Sequence, residues 1–300
     1  MTTVKLKTQN MSPEFVCNIW KVEHGSAAFV QTPNNKLILF DAGRSENFSP
    51  ALHMYFNRGI KRVDKLIISH PHKDHIRDLP HMLSMLPPAS MVTNPYTPER
   101  LVYQSGKCNL QEPLTTWKSM EDQYTGSVPD TEKFDNPNGF GNVQFNTYFA
   151  HETQLPAGAR ENLNNYSLMT TLRYRGLTIV FPGDLEPDGW DAILNNTNLS
   201  HNIDGNIRIL LASHHGRRSG IRDSNGKVYS RFLDMFAPHL TIISDRRGNE
   251  TTDPEAYRPY CKGLPVRTKG VVEEKKVLTT KTNECVSIQI INNDLLVKLY

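Results

Sequence analysis

The chain has 300 residues, with 34 lysines and arginines against 31 acids, a net charge of +3 and a pI near 8.6. Hydrophobic and charged fractions of 38% and 22% are those of an ordinary globular chain and exclude a disordered or fibrous one. The mild basicity is compatible with an anionic substrate, and no apolar run approaches the roughly 18 residues of a membrane span.

Met1 to Gln9 is polar and lacks a signal-peptide core, so the mature chain is expected to begin here and to stay in the cytoplasm. Cys17, Cys108, Cys261 and Cys285 form no Cys-x-x-Cys pair, which reads as free thiols in a reducing compartment rather than a disulfide framework or a cysteine zinc site.

The first block is β. Phe15 to Val22, Ala27 to Gln31 and Leu37 to Phe40 are short apolar stretches rich in branched and aromatic residues, and Pro33-Asn34-Asn35 joins the last two as a hairpin. Asp41-Ala42-Gly43 then marks a tight turn at a strand end. Ser49 to Asn57 has the spacing of an amphipathic helix with Pro50 in its first turn, and Gly59 ends it. Val63 to Ile68 is the next strand.

That strand delivers His70-Pro71-His72-Lys73-Asp74-His75. On an extended segment, residues two apart face the same way, so His70 and His72 aim at one point, and Asp74 and His75 at a second. Imidazole and carboxylate are ligands of zinc, manganese and iron. Leu79 to Leu86 follows as a helix, on which His81 reads as a packing or surface residue.

From Asn94 to Asn142 prolines and glycines break the pattern, with one helical piece around Leu114 to Gln123. A long irregular segment in a compact chain is usually functional or mobile. It reads as an insertion, 94–142, in a single 1–300 domain, either a lid over the loop or a surface elaboration.

The second half repeats the style. Val143 to Ala150 ends in His151-Glu152, and Ser167 to Tyr174 and Leu177 to Phe181 form a hairpin running into Pro182-Gly183-Asp184-Leu185-Glu186. Pro187 to Leu194 is helical, Ile207 to Ala212 is a strand ending in Ser213-His214-His215-Gly216, and Tyr229 to Phe236 is a helix. Leu240 to Ser244 is a strand, and Val286 to Ile291 with Leu295 to Leu299 closes the chain as a hairpin. His151, Asp184 and His214-His215 thus stand at strand ends. Two metals need about six protein ligands. The count closes with His70, His72 and His151 on one ion, and Asp74, His75 and one of His214 or His215 on the other. Asp184 bridges them.

His70-x-His72-x-Asp74-His75, Gly183-Asp184 and His214-His215-Gly216 together resemble the metallo-β-lactamase superfamily, and Asp41-Ala42-Gly43 matches its first motif. The resemblance implies an α/β fold, a four-layer αβ/βα sandwich with two mixed sheets and a dinuclear site at one edge. Asn164-Asn165-Tyr166-Ser167-Leu168, Phe181 to Glu186 and Ala212 to Gly216 are most similar to the ComEC type, the hydrolase domain found beside bacterial DNA-uptake channels and also as free-standing proteins; Ile242-Ile243-Ser244 leading to Asn249 and Pro254 continues it. Arg77-Asp78 departs from the family's Gly-Gly, and Asp253 stands where a histidine is often found.

The function this implies is metal-dependent hydrolysis, with two divalent ions (zinc first, manganese or iron as alternatives) supplying a hydroxide near neutral pH. Asp74 would orient it, Asp184 would set the ion separation, and whichever of His214 and His215 is not a ligand would donate a proton. Lys73, Arg77, Arg217 and Arg218 are the phosphate-gripping candidates, with Arg246 and Arg247 behind them and Arg222 as surface charge. The leading reading is a phosphodiesterase or nuclease acting on nucleic acid or a nucleotide. The alternatives are a small-ester, lactone or phosphorylcholine-ester hydrolase, and a regulatory protein that binds metal without turnover.

Overall fold

A computed structural model describes residues 13–105, 112–130, 133–246, 250–281 and 283–300. Met1 to Gln9, Cys108, Arg247 and Asn249 lie outside the described residues. The strands are β1 (Phe15–Trp20), β2 (Ala28–Gln31), β3 (Leu37–Phe40), β4 (Val63–Ile67), β5 (Pro88–Val92), β6 (Gln144–Tyr148), β7 (Met169–Tyr174) and β8 (Leu177–Phe181). They continue as β9 (Ile207–Leu211), β10 (Leu240–Ile243), β11 (Leu264–Thr268), β12 (Val271–Lys275), β13 (Val277–Thr279), β14 (Cys285–Ile291) and β15 (Asp294–Leu299). Among the described residues one sheet has the order β12-β11-β15-β14-β1-β2-β3-β4-β5 and the other β13-β10-β9-β8-β7-β6.

The helices are α1 (Pro50–Leu52), α2 (Lys73–Ile76), α3 (Leu79–Met85), α4 (Glu99–Ser105), α5 (Glu112–Gln123), α6 (Pro187–Asn196), α7 (Arg218–Ile221), α8 (Arg231–Phe236) and α9 (Pro254–Tyr257). No helix among the described residues is long and apolar enough to cross a membrane.

Period-two alternation sorts the strand side chains into layers. Phe15, Cys17 and Ile19 of β1, Ile38 and Phe40 of β3, Ile179 and Phe181 of β8 and Ile209 of β9 meet in one core between the sheets. Their neighbours face outward: Trp20, Phe29, Leu39 and Leu66 pack under Met82, Trp117 and Met120, while Val180, Leu210 and Ile243 pack under Trp190, Phe232 and Phe236. Helices thus cover both outer faces, the four-layer sandwich the resemblance implies.

The Phe40 and Phe181 rings stack at 3.9 Å between the sheets. Such a contact contributes about 0.5–1.5 kcal/mol beyond the area it buries. It sits one residue before Asp41 and three before Asp184, so it fixes the spacing of two strand ends that carry polar groups.

Three expectations change. Ser49 caps α1 by accepting from the Leu52 amide, and the rest of the expected Ser49–Asn57 helix widens to a π turn over His53–Asn57 before Gly59, at φ +66°, ends it. Segment 94–142 is more regular than its prolines suggest: α4 and α5 both lie in it, and Trp117, Met120 and Phe140 are buried core residues. Strands β5, β11, β12 and β13 were not among the expected elements: β5 and β11 carry Pro88 and Pro265, β13 is three residues long, and β12 is an exposed, Glu- and Lys-bearing edge.

Candidate metal centre

Strands β3, β4 and β5 run parallel, as do β8, β9, β10 and β13, so their C-terminal ends gather at one edge of the sandwich. In layered α/β folds that edge is where sites form. Here β3 ends in Asp41, β4 in the His70–His75 loop, β8 in Asp184, and β9 in His214-His215.

The backbone of the loop is set by close approach. The Asp74 carbonyl oxygen accepts from the Ser26 amide at 3.3 Å, and a Cβ at Gly25 or Gly43 would stand 2.6 Å from that oxygen, so only glycine fits at either position. The Ala42 amide donates to His75 O and the Asp78 amide to Ala42 O, each at 2.7 Å.

Two ligand-type clusters share one carboxylate. Asp74, His75, Asp184 and His215 each offer an atom within 4.8 Å of the others, and so do His70, His72 and Asp184. In the first, His75 Nε2 lies 3.1 Å from Asp184 Oδ1 and 3.1 Å from His215 Nε2, and His215 Nε2 lies 3.3 Å from Asp74 Oδ2. Nitrogen and oxygen ligands about 2.0–2.2 Å from a tetrahedral ion stand about 3.3 Å apart, so these spacings fit one ion. In the second, His70 Nε2 is 2.8 Å from His72 Nδ1 and 3.8 Å from Asp184 Oδ2.

Asp41 holds this arrangement from behind. Its Oδ1 accepts from the Ser69 amide at 2.7 Å, and its Oδ2 lies 2.8 Å from His75 Nδ1 and accepts from Ser69 Oγ at 3.1 Å. A carboxylate only accepts, so His75 Nδ1 carries the proton and its Nε2 is left for an ion. Ser69 Oγ and Ser167 Oγ stand 3.2 Å and 3.3 Å from His70 Nδ1, fixing that ring likewise. Asp41 itself sits at φ +57°, a strained position for a non-glycine residue of the kind that collects at functional sites.

The buried carboxylates draw protons onto two of these histidines, while burial holds His70 and His72 below the ordinary imidazole value. Burial pushes the His75 imidazole down, but Asp184 and Asp41 outweigh it and raise it well above the ordinary value. His215 is likewise disfavoured by burial yet raised to about 9 by Asp184 and its hydrogen bonds. Asp184 is opposed by burial but held well below the carboxylate range by His75, His215 and His214. In the metal-free chain these protons offset the buried charge of Asp184 and Asp41. Because the His215 folded value exceeds the unfolded one, its stabilisation is full below the unfolded value near 6.5 and is lost as pH rises through about 9. The thermal midpoint of the metal-free chain is therefore expected to fall between pH 6.5 and 9. In the loaded chain, monitored by circular dichroism, that slope is expected to be absent.

His214 and His215 take different positions. Both have left-handed backbones, at φ 49° and 54°, in the turn Ser213–Gly216. His215 is buried inside the first cluster. His214 Nε2 faces Asp184 Oδ2 at 3.7 Å, while its Nδ1 is held by Ser219 Oγ at 2.9 Å and Glu186 Oε1 at 3.2 Å. Glu186 is in turn clamped by Asn162 Nδ2 at 2.7 Å and Asn164 Nδ2 at 3.1 Å.

His151, expected as a third ligand beside His70 and His72, joins neither cluster. It follows β6, where the chain enters the turn Glu152–Gln154, and its Nδ1 accepts from the Thr153 amide at 3.2 Å. His24, which no motif singles out, stands instead beside the first cluster, against Asp74 and His215. Its Nε2 lies 3.3 Å from Asp74 Oδ2, and burial first, then His215, lowers it to about 4. The available signal was a histidine before a glycine between two short strands.

The cationic candidates divide. Arg217 is half-buried, its charge reaches His24, and its Nε has no hydrogen-bond partner among the described residues. Arg218 and Lys73 are exposed and Arg77 is half-buried, while Arg222, expected as solvated surface charge, is half-buried and donates through Nε to Asp253 Oδ2 at 2.7 Å. Asp78 turns away from chemistry. Its carboxylate accepts from Ser49 Oγ at 2.7 Å and the Ala51 amide at 2.8 Å, capping α1 from behind the loop.

The family profile described as the metallo-β-lactamase superfamily matches residues 20–228. ComE operon protein 3 of Bacillus subtilis (strain 168) is 23% identical over 261 residues, 81% of this chain and 30% of that protein, so the chain spans under a third of that relative's length. Among solved structures, a diphosphatase from the PhnP family aligns with a TM-score of 0.45 at 12% identity over 92% of this chain and 98% of that one. A long form RNase Z from yeast aligns with a TM-score of 0.39 at 11% identity over 81% of this chain and 39% of that one.

Proposed function

This chain belongs to the metallo-β-lactamase superfamily, and from that premise we propose that it is a metal-dependent hydrolase that cleaves phosphodiesters of nucleic acid or nucleotides. Its likeness to ComE operon protein 3 supports the ComEC-type branch. The observation that carries the reading is the pair of ligand clusters sharing Asp184.

On this reading His70, His72 and Asp184 would hold one divalent ion, and Asp74, His75, His215 and Asp184 the other. The imidazole and carboxylate donors suit zinc, manganese or iron. Two such ions would supply a hydroxide near neutral pH and neutralise charge on the phosphoryl oxygens.

The chain's own residues do the rest. Asp74, at the mouth of the first cluster, orients the attacking oxygen. Asp41 and Ser69 keep His75 and His70 in the tautomers that leave Nε2 free. His214, outside both clusters with Nε2 turned to Asp184, is the proton donor to the leaving oxygen. Arg217, half-buried beside His24, turns its guanidinium charge towards the phosphate.

Glu186→Gln separates the roles of the two neighbouring histidines. Positioned acid catalysis contributes about 10²–10⁴-fold, so loosening His214 is expected to lower kcat about tenfold or more. Metal content should be unchanged, because Glu186 touches neither cluster's ligand atoms.

The test of the proposal is a substrate panel: single- and double-stranded DNA, RNA, a simple phosphodiester, a lactone and a phosphorylcholine ester, offered to metal-loaded protein. Phosphodiester turnover abolished by Asp184→Ala is expected. Turnover of the lactone or choline ester alone would sink the phosphodiesterase reading.

A further inference from the structure

The histidine that left the metal site is packed in an aromatic group at the same edge. His151 meets the Tyr96 ring at 4.8 Å and 71°, and Phe149 meets it from another side at 5.4 Å and 39°. Tyr96 nevertheless remains 49% exposed. Topology puts this group beside the ligands. Tyr96 follows β5, which runs parallel to β4, the strand that delivers the histidine loop. His151 follows β6, which is antiparallel to β7 and therefore parallel to β8, the strand that delivers Asp184. In the sheets β5 is the direct neighbour of β4, and β6 is separated from β8 by β7 alone.

The group is also held rigid. The Tyr96 amide donates to Asn94 Oδ1 at 2.9 Å, and buried Asn94 donates through Nδ2 to Tyr166 O at 2.8 Å. Two residues before Tyr166, Asn164 contacts Glu186 and His214. The His151 amide donates to Gln154 Oε1 at 2.8 Å, and Arg100 Nη2 clips the two loops together through Glu152 Oε1 at 2.6 Å.

We propose that Tyr96, backed by Phe149 and His151, is a stacking platform for a nucleobase next to the scissile phosphodiester. A pre-set aromatic face loses little entropy when a base lands on it, and every base presents a π face. A choline cage is the competing use of such residues. It requires rings that stand apart and surround a cation within about 6 Å of each centroid, whereas these rings touch one another and leave only Tyr96's outer side. The platform rests on the phosphodiesterase reading but extends it to the substrate's base.

The test measures binding of a four-residue oligothymidylate with hydrolysis-resistant phosphorothioate linkages to the full metal-loaded chain, by fluorescence anisotropy. Base stacking contributes about 1–3 kcal/mol, so Tyr96→Ala is expected to weaken binding about tenfold while Tyr96→Phe keeps it. Hydrolysis of a base-free glycerol phosphodiester should not change in either variant. Equal affinity of Tyr96→Ala and wild type, or no binding by wild type, would overturn the platform. So would tighter, Tyr96-dependent binding of glycerophosphocholine. Absent hydrolysis of every phosphodiester with Tyr96-dependent binding intact would strike the reaction and spare the platform.

Discussion

Replacing Asp184 with alanine is expected to lower kcat on any phosphodiester the wild type turns over by about a thousandfold, because two-ion charge stabilisation supplies several kcal/mol. Asp184 is 2% exposed and is the one carboxylate present in both ligand clusters. Removing it leaves His70, His75, His214 and His215 facing one another without their shared counter-charge. The effect should be visible without turnover. A ligand at a thousand times its Kd stabilises the folded state by about 4 kcal/mol, so added zinc should raise the thermal midpoint of the wild type and leave Asp184→Ala nearly unmoved. A metal-dependent midpoint in the variant equal to that of the wild type would remove Asp184 from the centre.

Asp41→Ala is expected to reach further into the fold. The carboxylate is 5% exposed and satisfies the Ser69 amide, Ser69 Oγ and His75 Nδ1 at once. Each buried donor left unpaired costs about 1–3 kcal/mol, so with three released the variant should lose about 3 kcal/mol of stability or more, read by urea denaturation at constant m-value. Loss of the partner that fixes a ligating histidine costs about 10–100-fold in metal affinity. Asp41→Asn separates the two effects. Its amide oxygen can still accept from Ser69, which should recover part of the stability. Its amide nitrogen, if turned to His75, cannot accept the Nδ1 proton, so metal affinity should stay low. Recovery of affinity together with stability would show that Asp41 only packs.

The histidine loop was legible because its ligands are contiguous: a buried strand followed by His-x-His-x-Asp-His leaves few other geometries. Asp184 and His215 were legible by position, each directly after an apolar strand that the fold aligns with its neighbours. Strand-end placement says where a residue lies but not where it points, and that is why His151 was misjudged. Its backbone turns into a short 3₁₀ segment and the ring caps Thr153. The choice between His214 and His215 was closed for the same reason, since it depends on two successive left-handed residues that no pattern announces. Asp41 read as a turn residue at a strand end, and Glu186 carried no reading of its own. Their grip on His75 and His214 needs partners 34 and 28 positions away. Asp78, read as a departure from the family's Gly-Gly, is bonded to Ser49 and Ala51 and acts on the fold.

The central claim is that one carboxylate joins two ion sites. Its most direct measurement is the metal content of the purified chain after reconstitution with zinc, manganese or iron, by inductively coupled plasma mass spectrometry, beside Asp184→Ala. The predicted result is two ions per wild-type chain and fewer in the variant. A folded wild-type chain that holds no ion after reconstitution would contradict the account.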